Sequence, residues 1–241
     1  MLKSALKSAA LRLGYDVQRF EPACSRAAQL RAILAAQRIN LILDVGANIG
    51  QFGRELREHV GYGGRIVSFE PMRAAHATLT RAALSDPRWE IAPPAAIGAQ
   101  SGSVTLNVAG NSASSSVLAM LPTHVQAAPE SLYVGTEVVP LEPLDALAPR
   151  YFRDESRALL KIDTQGYESE VLRGAAQTLA RLVGLQLELS LVPLYEGQPL
   201  MPELLERVRE LGFELWAVAP AFVDPRSGRM LQIDATFVRS P

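Results

Sequence analysis

Four acidic residues stand inside or at the end of apolar runs, where their chemistry cannot be explained by solvation. Asp44 follows Leu41-Ile42-Leu43, Glu70 follows Arg65–Phe69, Asp163 follows Leu159-Leu160-Lys161-Ile162, and Glu188 lies within residues 183–191. A carboxylate so placed can accept two hydroxyls at once, take a proton from a reacting hydroxyl, or hold a cation. Asp163 is the candidate general base, with orientation of a cofactor amino group as its other role. Glu188, an acid in an apolar strand, must be paired or functional. In a metal-assisted variant Asp163 and Glu188 would be oxygen ligands for Mg²⁺. No spacing of ligand residues compels such a site, and His59, His76 and His124 are scattered.

These acids need strands that end together. Leu41–Val45 has the composition of a buried parallel strand, and Ile49, Phe52, Leu56 and Val60 then recur at helical spacing after the turn from Gly46 to Gly50. This is the first strand-turn-helix of an open α/β sheet, whose ligands bind outside the carboxyl ends of the strands. If the strand ending at Asp163 lies beside it, Asp44 and Asp163 repel each other unless a cation is near.

The turn limits the ligand. A dinucleotide fingerprint needs a glycine where Asn48 stands, and no lysine follows Gly50 to make a phosphate loop. Asp44 disfavours phosphate at close range and favours positive charge. S-adenosylmethionine, a phosphate-free nucleoside with ammonium and sulfonium charges, meets these conditions, with Asp44, Gly46, Asn48 and Gly50 around it. Glu70 can receive both ribose hydroxyls, or can stabilise the start of the helix that Pro71 opens.

Asp44-Val45-Gly46-Ala47-Asn48-Ile49-Gly50 resembles motif I of class I S-adenosylmethionine-dependent methyltransferases. With Phe69-Glu70-Pro71 and Lys161-Ile162-Asp163-Thr164-Gln165-Gly166-Tyr167-Glu168, the chain more narrowly resembles the FkbM-type enzymes over residues 41–238. The resemblance implies O-methylation of a hydroxyl on a sugar, glycan, glycolipid or glycosylated metabolite. It also places the stretch containing Ala96 near the adenine, and the insertion between the third and fourth strands beside the acceptor. The fold expected is α/β, a Rossmann-like, mostly parallel sheet with a C-terminal antiparallel hairpin (residues 213–219 and 232–238), an extra β insertion and N-terminal helices. Residues 1–40 form the helical segment and 41–241 the methyltransferase domain. A nicotinamide-dependent oxidoreductase and a catalytically silent S-adenosylmethionine-binding module are the rival readings.

Local patterns complete the expectation. Val104, Leu106 and Val108 alternate as in an antiparallel strand, and residues 112–116 with His124 belong either to a lid or to a connector. Pro140 demotes residues 137–141 to an edge strand or a strand end. Val171, Leu172, Ala175, Leu179 and Leu182 make one helical face, and Glu168 caps that helix or pairs with Lys161. Leu144-Asp145 reads as structural, His59 and His76 as surface residues, and the lone Cys24 as a small core hydrophobe.

A net charge of −1 gives no basic excess for nucleic acid, and one cysteine excludes an intrachain disulfide and favours a reducing, cytoplasmic compartment. The first forty residues are basic all the same, with seven Lys or Arg against two acids. Residues 1–13 place Leu2, Leu6 and Leu13 on one helical face, without the apolar core of a secretory signal. That helix is expected either to rest on an anionic membrane surface, at its inner face, or to dock on the domain or a second copy in a homodimer.

Overall fold

The computed structural model describes residues 2–239. Strands β1 (Leu41–Val45), β2 (Arg65–Phe69) and β3 (Trp89–Ile91) run parallel. An inserted three-stranded sheet follows, made of β4 (Ala96–Ile97), β5 (Gly102–Ala109) and β6 (Tyr133–Glu142). The chain then returns to the main sheet with β7 (Ala158–Ile162) and β8 (Leu182–Ser190), and ends in a hairpin of β9 (Phe213–Val223) and β10 (Met230–Arg239). The seven-stranded order is β3-β2-β1-β7-β8-β10-β9, with β10 antiparallel to β8. Direction of build reverses between β1 and β7, which sets the ligand crevice at their carboxyl ends.

Period-two burial fixes which residues share a side of the sheet. Leu41, Leu43 and Val45 join Leu160, Ile162, Leu185 and Leu187 in one core, whereas Ile42 and Leu159 belong to another. Helix α1 (Leu2–Arg12) belongs to no hydrophobic cluster formed by the described residues, and Leu6, Leu11 and Leu13 are exposed. The side chains of residues 2–5, with Leu2 of the expected apolar face among them, lie outside the described residues. Helix α2 (Arg26–Ala36) starts where Ser25 accepts a hydrogen bond from the Ala28 amide. It packs Leu30 and Leu34 against Ile42 and Leu56, so it shares the sheet's core. Helix α3 (Gln51–Glu55) runs on as one π turn, Leu56–Val60, stopped by Gly61 at φ 71°. Helix α4 (Arg73–Ala83) buries Ala75, Leu79 and Ala83.

Several sequence expectations change here. β6, demoted by Pro140, is the middle strand of its sheet. β4 reaches only Leu141 and Glu142, so beside Pro140 the strand has one neighbour, β5, and the missing amide proton is tolerated. After α5 (Pro122–Ala127) and α6 (Leu144–Leu147), the single helix expected beyond Glu168 is two, α7 (Glu168–Arg173) and α8 (Ala176–Leu179), with Leu182 on β8. Gly174 explains the break, because any Cβ there would drive into the carbonyl of Gly98. Asp145 completes the corner by accepting from the amides of Gln177 and Thr178, the structural role expected of it. Cys24 is exposed, not a core residue. His76 is half-buried and bonds the Ala92 carbonyl at 2.8 Å, whereas His59 is exposed. The last helix, α9 (Met201–Glu210), precedes Gly212 at φ 79° as its stop.

Candidate active site

β1 passes into α3 through Gly46 (φ 79°), Asn48 (φ 47°) and Gly50 (φ 89°). A Cβ on Gly46 would drive into the backbone oxygen of Asp163, so only glycine lets the ends of β1 and β7 approach. Gly50 lies on the wall of neither cavity described below, and a Cβ added to it would press on Leu79 and Trp89.

Lys161 settles the repulsion expected between two neighbouring acid-tipped strands. Its Nζ lies 3.3 Å from Asp44 Oδ1 and 3.3 Å from Asp163 Oδ2. The neutralising cation thus comes from within β7. Burial works against the ammonium, but Asp163 and Asp44 outweigh it and hold its pKa above the ordinary lysine value. Asp44 itself is fully buried, accepts from Ser68 Oγ at 3.2 Å, and touches neither cavity. Burial pushes its pKa up, against the pull of Lys161 and Ser68. Glu168 is not a partner of Lys161. It accepts from the amides of Thr164 and Gly166 and from Thr164 Oγ1, closing the turn after β7.

Glu70 is buried, and its two oxygens accept from the amides of Met72 and Asn48, each at 2.8 Å. Burial pushes its pKa up to about 7 despite those donors. The carboxylate therefore does support the start of α4, and it also lines a cavity of about 560 Å³, counting the open mouth, with Met72, Ala96, Ile97, Leu106 and Ser112. These apolar walls carry two carboxylates, Glu70 and Asp163, a pattern that suits a nucleoside. Asn48 accepts from Ser112 Oγ at 3.1 Å, while its Nδ2 is buried with no partner. An orphaned donor on a cavity wall is costly without a ligand to accept from it.

A second, polar cavity of about 820 Å³ holds Arg26, Glu55, Lys161, Gln186, Glu188 and Asp234. Gly46, Asn48, Ala113 and Asp163 belong to both cavities, so Asp163 stands at their seam, its side chain 31% exposed. Glu188 is on the polar wall but its Oε2 accepts from Gln165 Nε2 and Gln232 Nε2, both at 2.7 Å. Burial first, then the charges of Asp163 and Glu168, raise its pKa well above the carboxylate range. Among the described residues no group of three or more His, Cys, Asp or Glu could hold a metal ion. Arg26 reaches this cavity from α2 and pairs with Asp234 at 2.7 Å.

Sequence reasoning gave no site role to Lys161 or Gln165. A lysine in an apolar run carries the same signal as an acid there, a buried charge in need of partners. Gln165 adopts φ 54° and links Asp163 to Glu188, which spacing does not reveal. Of the hydroxyl-rich loop, Ser112, Ala113 and Ser115 line the first cavity. His124 lies apart from both cavities, packed on Tyr195 and Phe222, and burial lowers its pKa to about 4.

The strand order, the glycine turn and the acid after β2 define a class I, Rossmann-like methyltransferase. The model of the methyltransferase FkbM domain matches residues 44–215, and the chain belongs to that family. Among solved structures it is similar to methyltransferase FkbM from Methylobacillus flagellatus KT, at 14% identity and TM-score 0.47 over 82% of this chain and 43% of that one. It thus spans less than half of that relative. Magnesium protoporphyrin IX methyltransferase from Synechocystis with bound S-adenosylmethionine is 12% identical, with TM-score 0.47 over 89% and 78%. An rRNA methylase from Streptococcus thermophilus is 11% identical, with TM-score 0.47 over 94% and 100%. No curated protein matches the chain. S-adenosylmethionine is the cofactor of this class, and the orphaned Asn48 donor, the side-chain-free Gly46 and the Glu70 carboxylate fit it.

Proposed function

We propose that the protein methylates a hydroxyl of a sugar, glycan, glycolipid or glycosylated metabolite, with Asp163 as the general base. The observation that carries this reading is the position of Asp163, the one carboxylate on the wall of both the apolar and the polar cavity. The adenosine would lie against Met72, Ala96 and Ile97 with its ribose at Glu70, and Gly46 and Asn48 would face the amino-acid end. Bound S-adenosylmethionine supplies an electrophilic methyl group. The polar cavity takes the acceptor, where Gln186 and Asp234 can hold its hydroxyls. Asp163 then receives the proton of the reacting hydroxyl, with Lys161 Nζ 3.3 Å from its Oδ2. Holding both substrates in line is worth ~7–11 kcal/mol, and a placed base ~10²–10⁴-fold. The sugar preference rests on the family resemblance.

Asp44 acts one step removed, through Lys161. Calorimetry tests the cofactor assignment: the wild type should bind S-adenosylmethionine and not a nicotinamide dinucleotide, and Asp44→Ala should remove binding. Binding of the dinucleotide alone would favour the oxidoreductase; binding without any transfer to glycans or glycolipids would favour a silent module.

The leader suits an anionic membrane surface. Leu6, Leu11, Leu13, Tyr15, Val17 and Phe20 are exposed beside Lys7, Arg12 and Arg19. The first forty residues hold seven of the basic residues and two of the acids, which leaves seventeen basic and twenty-three acidic residues beyond them. Such a surface would attract the leader and repel the rest. Among the described residues no helix is long and apolar enough to cross a membrane.

A further inference from the structure

The geometry points to Tyr195 as a positioning residue for the base, acting through Gln165; we infer that its hydroxyl fixes the Gln165 amide, and the amide fixes the Asp163 carboxylate. The inference rests on the reading of Asp163 as the base. Tyr195 is 1% exposed and lines neither cavity, so it touches no substrate. Its hydroxyl donates to Gln165 Oε1 at 2.7 Å, with the Ser114 carbonyl at 3.2 Å as a second acceptor. That leaves the amide one good orientation, in which Nε2 donates to Asp163 Oδ1 at 2.8 Å and to Glu188 Oε2 at 2.7 Å. Turned over, the amide would set its oxygen against the Asp163 carboxylate and take the donor from Oδ1, and the phenol would keep only the longer bond to the Ser114 carbonyl as a donor.

The backbone beneath is held as well. Gln165 sits at φ 54°, and its carbonyl accepts from Ser116 Oγ at 2.7 Å. With Lys161 on Oδ2 and Gln165 on Oδ1, each Asp163 oxygen has one partner from the chain and spare lone pairs for a reacting hydroxyl. Outer partners that orient a reacting group typically matter 10–100-fold in metal sites, and the same logic applies to a base.

Tyr195→Phe removes only the oxygen and keeps the ring against His124, 5.2 Å between centroids. The assay is single-turnover transfer of labelled methyl from S-adenosylmethionine to a glycolipid extract that the wild type modifies, with cofactor affinity by calorimetry and the melting temperature alongside. Tyr195→Phe should slow transfer about 10-fold, with cofactor affinity within about 2-fold and the same dependence on extract concentration. Gln165→Leu should lose more, and adding Tyr195→Phe to it should cost nothing further, because both act through one amide. Unchanged transfer in Tyr195→Phe, losses that multiply in the double variant, or a parallel loss of cofactor affinity would each overturn the inference. If Asp163→Asn stays active, the base reading itself fails; if Asp163→Asn is dead and Tyr195→Phe fully active, only the relay falls.

Discussion

Burial decides how the charged residues at this site behave. Glu70 has its pKa raised from 4.5 to about 7, so between those values the folded protein holds a proton that the unfolded chain has released. Stability is then greatest below about pH 4.5 and declines as pH rises through 7, by roughly 3 kcal/mol from this residue. Glu168, also raised to about 7 by burial, adds a decline in the same window. Thermal melts across pH 4.5–7.5 should show it, and Glu70→Gln should flatten part of it. Cofactor affinity should move the other way, strengthening as Glu70 ionises. Lys161→Met leaves Asp44 buried without its cation, and urea titration should show a loss of about 3–5 kcal/mol. The four acids were legible in the sequence because each interrupts an apolar run. Lys161 stands in the same kind of run and carries the same signal, a buried charge that must find partners. Gln165 was not legible, because its role depends on loops meeting across the sheet.

Turns between the strands explain why two glycines of one motif do different work. Gly46→Ala should abolish cofactor binding by calorimetry, because its Cβ meets the backbone of Asp163 and the β1 and β7 tips must part. Gly50→Ala should chiefly lower the melting temperature, since its strain and its contact with Leu79 and Trp89 lie away from the cavities. Equal losses of cofactor affinity in both variants would contradict this division. Strand periods and glycine stops revealed most elements in advance, including β1, β2, β5, α9 and the terminal hairpin. The errors arose where tertiary contacts override local pattern. The helical face running to Leu182 is cut at Gly174 by the approach of Gly98, and Pro140 sits in a middle strand because β4 ends short of it.

The sheet's reversal between β1 and β7 brings residues far apart in sequence to one seam, while Leu6, Leu11, Leu13 and Phe20 of the basic leader are exposed. Co-sedimentation should find the protein on vesicles rich in anionic lipid and not on neutral ones, and Lys7→Glu with Arg12→Glu should release it; equal binding to both vesicle types would exclude the electrostatic account. The family and fold were legible from three short motifs, but the two adjoining cavities were not, because they appear only when the inserted sheet and serine loop close over the turn after β1. The most direct test of the central claim is the Asp163→Asn variant, followed by cofactor calorimetry and labelled-methyl transfer to the glycolipid extract. Affinity for S-adenosylmethionine within a few-fold of wild type, with transfer reduced ~10²–10⁴-fold, is the expected result. Transfer at the wild-type rate would show that the base lies elsewhere.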